Sequence, residues 1–138
     1  MTRVKRPQLK SGGRVSVEAS LGQPSPDKGY PSFSLFYVDP KYCISECDKD
    51  DKAAFADQLQ VLSQLKWDVL QMTGSHGVGC EKINRSAIKS RIPAHVTADV
   101  SLLAFRFSGK KPMIGYRQGD TFYILWFDSH FRVYDHGS

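Results

Sequence analysis

The sequence predicts an α+β domain in which helices pack against one face of an antiparallel sheet. Three observations predict it. Residues 33–38 form a short aromatic and β-branched run that ends at Asp39-Pro40, as a strand would. Residues 55–69 repeat apolar side chains at helical spacing, and residues 100–127 alternate apolar and polar side chains with period two. The predicted order is an N-terminal strand, one or two helices, and a three- to four-stranded antiparallel β-meander.

The helical segment follows a cluster of acidic residues. Asp48, Asp50 and Asp51 favour a helix N-terminus because carboxylates interact favourably with its partial positive charge. Apolar side chains then recur every three or four residues and predict one buried helix face, formed by Phe55, Leu59, Leu62, Leu65 and Val69. Trp67 and Leu70 either widen this face or belong to a second short helix. We interpret Trp67 as a core residue.

The C-terminal third of the chain predicts the meander. Turn residues at Ser108-Gly109 and at Gln118-Gly119-Asp120 separate the alternating runs, and residues 131–135 predict a short fourth strand. Residues 77–83 are compatible with a loop or a short strand. Both alternating sets of residues 122–127 are apolar, so this strand is predicted to be central and covered on both faces. We therefore interpret most aromatic side chains of the meander as core residues.

Composition divides the chain into a leader and a body. Residues 1–31 are rich in proline, glycine and basic residues, which predicts a flexible basic leader. Residues 32–138 are long enough to form a single domain with its own core. The three cysteines are an odd number, and the sequence contains no secretory segment and no apolar run of membrane-spanning length. We expect a cytoplasmic protein without disulfides and without a membrane partner.

Positive charge is concentrated in the second half of the chain. The net charge is +5, and residues 82–117 contain a single acid, Asp99, against eight basic residues: Lys82, Arg85, Lys89, Arg91, Arg106, Lys110, Lys111 and Arg117. A basic face attracts polyanions, and neutralisation of phosphates is the usual source of nucleic-acid affinity that does not depend on base sequence. The alternative is a solvated positive surface that has no partner.

The cysteines raise the question of a metal site. Cys43, Cys47, His76 and Cys80 could together form a Cys₃His zinc tetrahedron, but no C-x-x-C pair is present. We interpret the cysteines as buried or idle thiols in a reducing compartment, and we expect neither a metal nor a cofactor.

The order of elements resembles the RelE/ParE superfamily of bacterial toxins, many of which cleave messenger RNA. The resemblance covers residues 33–136 and rests on topology and residue chemistry. Ribonuclease members carry basic residues on the central strands and a Tyr or His near the C-terminus. The matching positions here are Arg106 and Arg117 on strands, Lys110 and Lys111 in the turn between them, and Tyr134 and His136 at the end. The resemblance implies an endoribonuclease toxin, with RNA, including ribosome-bound mRNA, and an acidic antitoxin as partners.

The expected chemistry starts from the nucleophile that RNA carries itself, its 2′-hydroxyl. Cleavage then needs a base, cations that stabilise the phosphorane, and an acid for the 5′-oxygen. Arg106 and Arg117 are the expected cations and His136 the proton-transfer group, with Tyr134 orienting the phosphate or stacking a base. Further nucleic-acid contacts are expected from Arg85, Lys89, Arg91, Lys110, Lys111 and Arg132. The alternative is a non-catalytic basic module that binds nucleic acid or a protein partner.

Overall fold

A computed structural model describes residues 29–72 and 80–134, which form one five-stranded sheet with two α-helices. In chain order these elements are β1 (Ser32–Ser34), α1 (Lys49–Ser63), α2 (Trp67–Met72), β2 (Glu81–Ile83), β3 (Leu102–Ser108), β4 (Lys111–Gln118) and β5 (Thr121–Phe127). The strand order in the sheet is β1-β5-β4-β3-β2. Strand β1 pairs with β5 in parallel, and the other neighbours are antiparallel. The predicted leader lies almost entirely outside the described residues.

The α+β class and the central meander of β3, β4 and β5 are confirmed. Its two hairpin turns contain Gly109 and Gly119, both with positive φ, a backbone conformation that glycine adopts without steric cost. The prediction was wrong about the edges of the sheet. Because β1 is parallel to β5 and β2 adds a fifth strand, the sheet is mixed instead of purely antiparallel. Strand β1 is also shorter than predicted, since the Ser34 hydroxyl accepts a hydrogen bond from the Phe36 amide in a local turn.

The predicted fourth meander strand over residues 131–135 is not formed in its described part. Tyr134 makes only an isolated bridge to Ile88. The physical reason lies at Asp128, whose buried carboxylate accepts hydrogen bonds from the amides of Arg132 and Val133. These two amides therefore bond to a side chain, and the chain turns instead of extending into another strand.

Two helices are present, which decides between the alternatives for the helical segment. Helix α1 begins where the Asp48 carboxylate accepts a hydrogen bond from the Asp51 amide at 2.8 Å, as an N-cap does. It ends at Ser63, and Trp67 starts the separate helix α2. Trp67 is fully buried, so its interpretation as a core residue is confirmed. None of the helices in the described ranges is long and apolar enough to cross a membrane.

The core has two layers, one on each face of the sheet. The helix-side cluster lies under α1 and α2 and contains Cys47, Phe55, Leu62, Trp67, Leu70, Cys80, Leu103, Phe105, Phe107, Met113, Phe122, Ile124 and Phe127. The loop-side cluster lies on the opposite face and contains Ile83, Val96, Leu102, Ala104, Ile114, Tyr116, Leu125, Trp126, Val133 and Tyr134. Strand β5 contributes to both clusters, which confirms that it is covered on both faces.

A bulge in β5 shapes the loop-side face. Ile114 lies opposite Trp126, but Gly115 lies opposite Ile124, so Leu125 is one extra residue in β5. Leu125 and its neighbour Trp126 consequently both join the loop-side cluster. Only glycine fits opposite the bulge, because a Cβ at Gly115 would lie 1.9 Å from the carbonyl oxygen of Tyr123.

Candidate active-site pocket

A pocket of about 240 Å³ lies at the end of β5, between the loop that follows β1 and the turn that follows β5. Its lining combines two cations, one imidazole, one carboxylate and one thiol, and consists of Lys41, Tyr42, Cys43, Glu46, Phe127, Ser129, His130 and Arg132. Concave sites with a few convergent polar groups are the usual location of binding and catalysis. This is the candidate active-site pocket.

The first wall is a short 3₁₀ helix, Pro40–Tyr42, that the sequence anchors from both sides. The Asp39 carboxylate accepts a hydrogen bond from the Lys41 amide at 3.0 Å, and Pro40 provides the fixed φ suited to a helix start. The Asp39 amide donates to the Leu125 carbonyl at 2.8 Å, which ties this wall to the bulge of β5. Lys41 and Tyr42 are therefore held at the sheet although they lie in a loop.

The second wall is the turn of residues 128–133. Its centre is Asp128, which is fully buried and accepts hydrogen bonds from the Arg132 amide at 2.6 Å and the Val133 amide at 2.9 Å. The Asp128 amide in turn donates to the Pro112 carbonyl. Because charge-assisted hydrogen bonds are stronger than neutral ones, Asp128 fixes the turn that carries Ser129, His130 and Arg132.

The backbone of this turn is strained. Phe131 has φ of 57° and is the only non-glycine residue with positive φ in the described part of the chain. Bulky residues avoid this region, and such conformations tend to occur at functional sites because the surrounding structure must maintain them. Phe131 lies between His130 and Arg132, so the strained residue separates the two pocket groups with the most useful chemistry.

The pocket groups suit proton transfer next to an anion. Nδ1 of His130 and the Ser129 hydroxyl share a hydrogen bond of 3.0 Å, which orients the imidazole ring. Lys41 and Arg132 supply two positive charges against the single carboxylate of Glu46. The Arg132 guanidinium can bind two phosphate oxygens at once, whereas the Lys41 ammonium acts as a point charge.

The two strand arginines expected to act together lie on opposite faces of the sheet. Arg117 lies on the helix side, where its guanidinium is 4.3 Å from the Trp67 ring centroid and donates hydrogen bonds to the Gly119 carbonyl and the Gln71 side chain. Arg106 follows Leu102 and Ala104 in the alternation of β3, on the loop side. Side chains alternate between the two faces of the sheet along each strand, which places Arg106 and Arg117 on opposite faces. The two arginines therefore do not form a single site.

Tyr134 is a core residue. Its exposed fraction is 8%, and its ring belongs to the loop-side cluster. Burial raises the pKa of its hydroxyl to about 12, and the nearby charge of Arg106 only partly offsets this. Tyr134 therefore packs in the core, and its expected role at the scissile phosphate stays a prediction. His136, the expected proton-transfer group, lies outside the described residues.

The two turn lysines have different environments. Lys110 is exposed. Lys111 forms an ion pair with Asp51, whose carboxylate also accepts a hydrogen bond from the Ser108 hydroxyl. Burial raises the pKa of the Asp51 carboxyl, but the hydrogen bonds from Lys111 and Ser108 and the Lys111 charge outweigh burial and hold the pKa below its ordinary value. Lys111 thus links the hairpin to helix α1, and its expected role in RNA binding stays a prediction.

The remaining basic residues expected to bind nucleic acid lie on the loops that cover the second core layer. Arg85 donates a hydrogen bond to the Thr97 carbonyl at 2.9 Å and borders a second pocket of about 430 Å³ together with Lys82 and Asp99. Lys89 and Arg91 are exposed on the following loop. Of the six nucleic-acid-binding residues predicted, Arg132 alone lines the candidate active-site pocket.

The cysteines do not form a metal site within the described ranges, where no group of three or more His, Cys, Asp or Glu side chains could hold a metal ion. His76, one of the four ligands considered, lies outside those ranges. Cys47 and Cys80 are buried, and burial raises the pKa of both thiols, that of Cys80 to about 11. Both are therefore protonated thiols at neutral pH.

Sequence reasoning missed four polar residues of the pocket: Lys41, Glu46, Ser129 and His130. The available signal was the run Asp-Ser-His-Phe-Arg directly after the last apolar strand, where loop residues at a strand end often carry function. Comparisons with family models, with curated proteins and with solved structures found no match to this chain. The resemblance to RelE/ParE toxins stays a prediction.

Proposed function

We propose that this protein is an endoribonuclease of the toxin type that cleaves RNA in the candidate active-site pocket. The observation that carries the proposal is the convergence of His130, Lys41 and Arg132 on one pocket. A histidine beside two cations supplies the base and the charge stabilisation that phosphodiester cleavage by the 2′-hydroxyl requires. The proposed reaction is still RNA cleavage by the 2′-hydroxyl. The cations are now Lys41 and Arg132, and the proton-transfer group is His130.

Each group has a defined role in this proposal. Nε2 of His130 accepts the proton of the 2′-hydroxyl, whose oxygen attacks the adjacent phosphorus. Lys41 and Arg132 stabilise the additional negative charge of the phosphorane. The departing 5′-oxygen takes its proton from solvent water. Ser129 is a positioning residue, since its hydrogen bond with Nδ1 orients the His130 ring.

The direct test is cleavage of a labelled single-stranded RNA by the purified full chain. Exchange of His130 for alanine should lower the cleavage rate by about 10² to 10⁴, the range of a single acid-base group. Arg132→Lys should restore only part of the activity that Arg132→Ala loses, because an ammonium lacks the bidentate fork. His136→Ala is the matched histidine control and should cleave normally.

Two outcomes would contradict the proposed mechanism. Attack by the 2′-hydroxyl leaves a 2′,3′-cyclic phosphate, so a substrate with 2′-deoxyribose at the scissile position must resist cleavage. Normal cleavage of that substrate would exclude the mechanism. Loss of activity in His136→Ala with full activity in His130→Ala would return the assignment to the C-terminal histidine.

The toxin assignment has its own test. Induced expression should arrest bacterial growth, His130→Ala should relieve the arrest, and an acidic antitoxin encoded beside the gene should restore growth with the wild type. Such a protein acts on cytoplasmic RNA.

The second candidate is a non-catalytic basic module that binds RNA or a protein partner. The exposed rings of Phe36 and Tyr37 favour this candidate. RNA binding without cleavage, with or without ribosomes, would select that module.

A further inference from the structure

The loop-side face of the sheet carries a cluster of five aromatic rings that the proposed chemistry does not use. Phe36, Tyr37, His95, Tyr116 and Tyr123 form this cluster, which we call the aromatic platform. Tyr116 and Tyr123 stack on adjacent strands with ring centroids 5.2 Å apart and an interplanar angle of 17°. Tyr37 lies over both Tyr123, at 5.7 Å, and His95, at 4.1 Å.

The inner part of the platform is fixed and the outer part is open. Tyr116 is buried in the loop-side cluster, and its hydroxyl shares a hydrogen bond of 2.9 Å with Nε2 of His95. Burial raises the pKa of the Tyr116 hydroxyl, which keeps this partner protonated at neutral pH. By contrast, Phe36 is 80% exposed and Tyr37 40% exposed. Tyr37 packs against His95 and Tyr123, and Phe36 meets the platform through Tyr37.

Exposure of these outer rings is unfavourable for the isolated protein. Of the seven large apolar side chains that are exposed in the described residues, three are consecutive in the chain: Leu35, Phe36 and Tyr37. Contact between an apolar side chain and water is unfavourable relative to burial of that side chain. Contiguous exposed apolar patches therefore often mark interaction sites. A partner that covers the platform would recover this free energy.

We propose that the aromatic platform binds the unpaired bases of the single-stranded RNA whose backbone enters the candidate active-site pocket. This inference rests on the proposed function. Aromatic side chains stack on nucleobases without sequence preference, and duplex RNA offers no free base faces to them. The platform thus makes single-stranded RNA the substrate class.

The position of the platform supports this occupant. The segment from Tyr37 to Lys41 leads directly from the platform to the pocket wall. Phe127 lines the pocket from the helix-side cluster, whereas Tyr42 lines it and also packs against the loop-side cluster, so the pocket adjoins the face that carries the platform. Lys41 and Arg132 at the pocket supply the positive charge that attracts the phosphate backbone to that end of the segment.

The test is the affinity of the full chain for a fluorescent single-stranded 2′-O-methyl RNA, which lacks the nucleophile and stays intact. Phe36→Ala should weaken binding by about 5- to 150-fold, the range of one lost base stack. Phe36→Trp should retain the affinity, and Phe36→Leu should lose it, because leucine is apolar but has no π-face. Val61→Ala, which truncates an exposed apolar side chain on α1, is the matched control and should bind normally.

The outcomes separate this inference from the proposed function. Wild-type affinity in Phe36→Ala, or equal weakening for duplex and single-stranded RNA, would overturn the platform even if wild-type protein cleaves RNA. Full RNA affinity in Phe36→Leu would also overturn it and would indicate a protein partner that needs only an apolar surface. Weaker single-strand binding in Phe36→Ala, together with absence of cleavage by wild type, would support the platform and refute the endoribonuclease.

Discussion

The exchange Gly115→Ala tests how the bulge of β5 supports the loop-side face. Gly115 lies on β4 opposite Ile124, next to the extra residue Leu125. An added Cβ would lie 1.9 Å from the carbonyl oxygen of Tyr123, a distance that real Cβ atoms essentially never show. Because the clashing atom belongs to the backbone, no side-chain rotation can relieve the contact, and β4 and β5 must separate.

The size of the effect follows from this separation. A tolerable contact of 3.0 Å requires a shift of 1.1 Å. Such a shift breaks the one or two ladder hydrogen bonds at the bulge, each worth about 0.5 to 1.5 kcal/mol. It also misplaces packed residues of both core layers, which typically costs about 1 to 3 kcal/mol. We expect the free energy of unfolding to fall by about 3 kcal/mol and the melting temperature by about 15 °C.

Thermal unfolding followed by circular dichroism measures the effect, with Gly119→Ala as the matched control. Gly119 has φ of 63° and open space where its Cβ would lie, so alanine there introduces backbone strain without a clash. That strain should cost about 1 kcal/mol, or about 5 °C. A Gly115→Ala protein that melts no lower than Gly119→Ala would refute the close approach of β4 and β5 at the bulge.

Two further predictions concern the frame around the site. Because the pKa of Asp51 lies below its ordinary value, its ion pair with Lys111 stabilises the fold at neutral pH, and this contribution is lost as the pH falls through the lowered pKa. Denaturant unfolding should therefore show that Asp51→Asn is less stable than wild type at pH 7 and closer to wild type at about pH 3. The control Lys110→Ala should keep wild-type stability at both pH values. A stability difference between Asp51→Asn and wild type that does not change with pH would contradict the ion pair. Removal of residues 1–28 should leave the melting temperature unchanged. Removal of residues 1–29 should lower it, because the Gly29 carbonyl accepts a hydrogen bond from the Trp67 amide at 2.9 Å. Equal melting temperatures of the two truncated forms would refute a domain boundary at Gly29.

The elements whose signals are local could be predicted from the sequence. The apolar spacing of Phe55 and Leu62 predicted helix α1, and period-two alternation with glycine turns predicted the meander. The apolar character of both residue sets in β5 predicted that the strand is central, which the two core clusters confirm. Each of these signals depends on residues within one element, where side-chain period and turn chemistry decide the conformation.

The edges of the sheet required tertiary information. Nothing within the three residues of β1 specifies whether they pair in parallel or antiparallel, and β1 finds its partner β5 almost ninety positions later. The predicted strand after β5 failed for a similar reason. Its amides hydrogen-bond to a carboxylate that only the folded sheet buries at Asp128.

The sequence by itself determined the chemical inventory of this protein: a small basic chain with an α+β core, arginines, histidines and many aromatic side chains. Only the tertiary structure decided which of these groups meet. It separated Arg106 from Arg117 by the thickness of the sheet, buried Tyr134, and brought Lys41 beside His130 and Arg132 across some ninety residues of chain. The physical reason is that strand alternation fixes the face of each side chain, but the pairing of distant strands and the turns between them fix its neighbours.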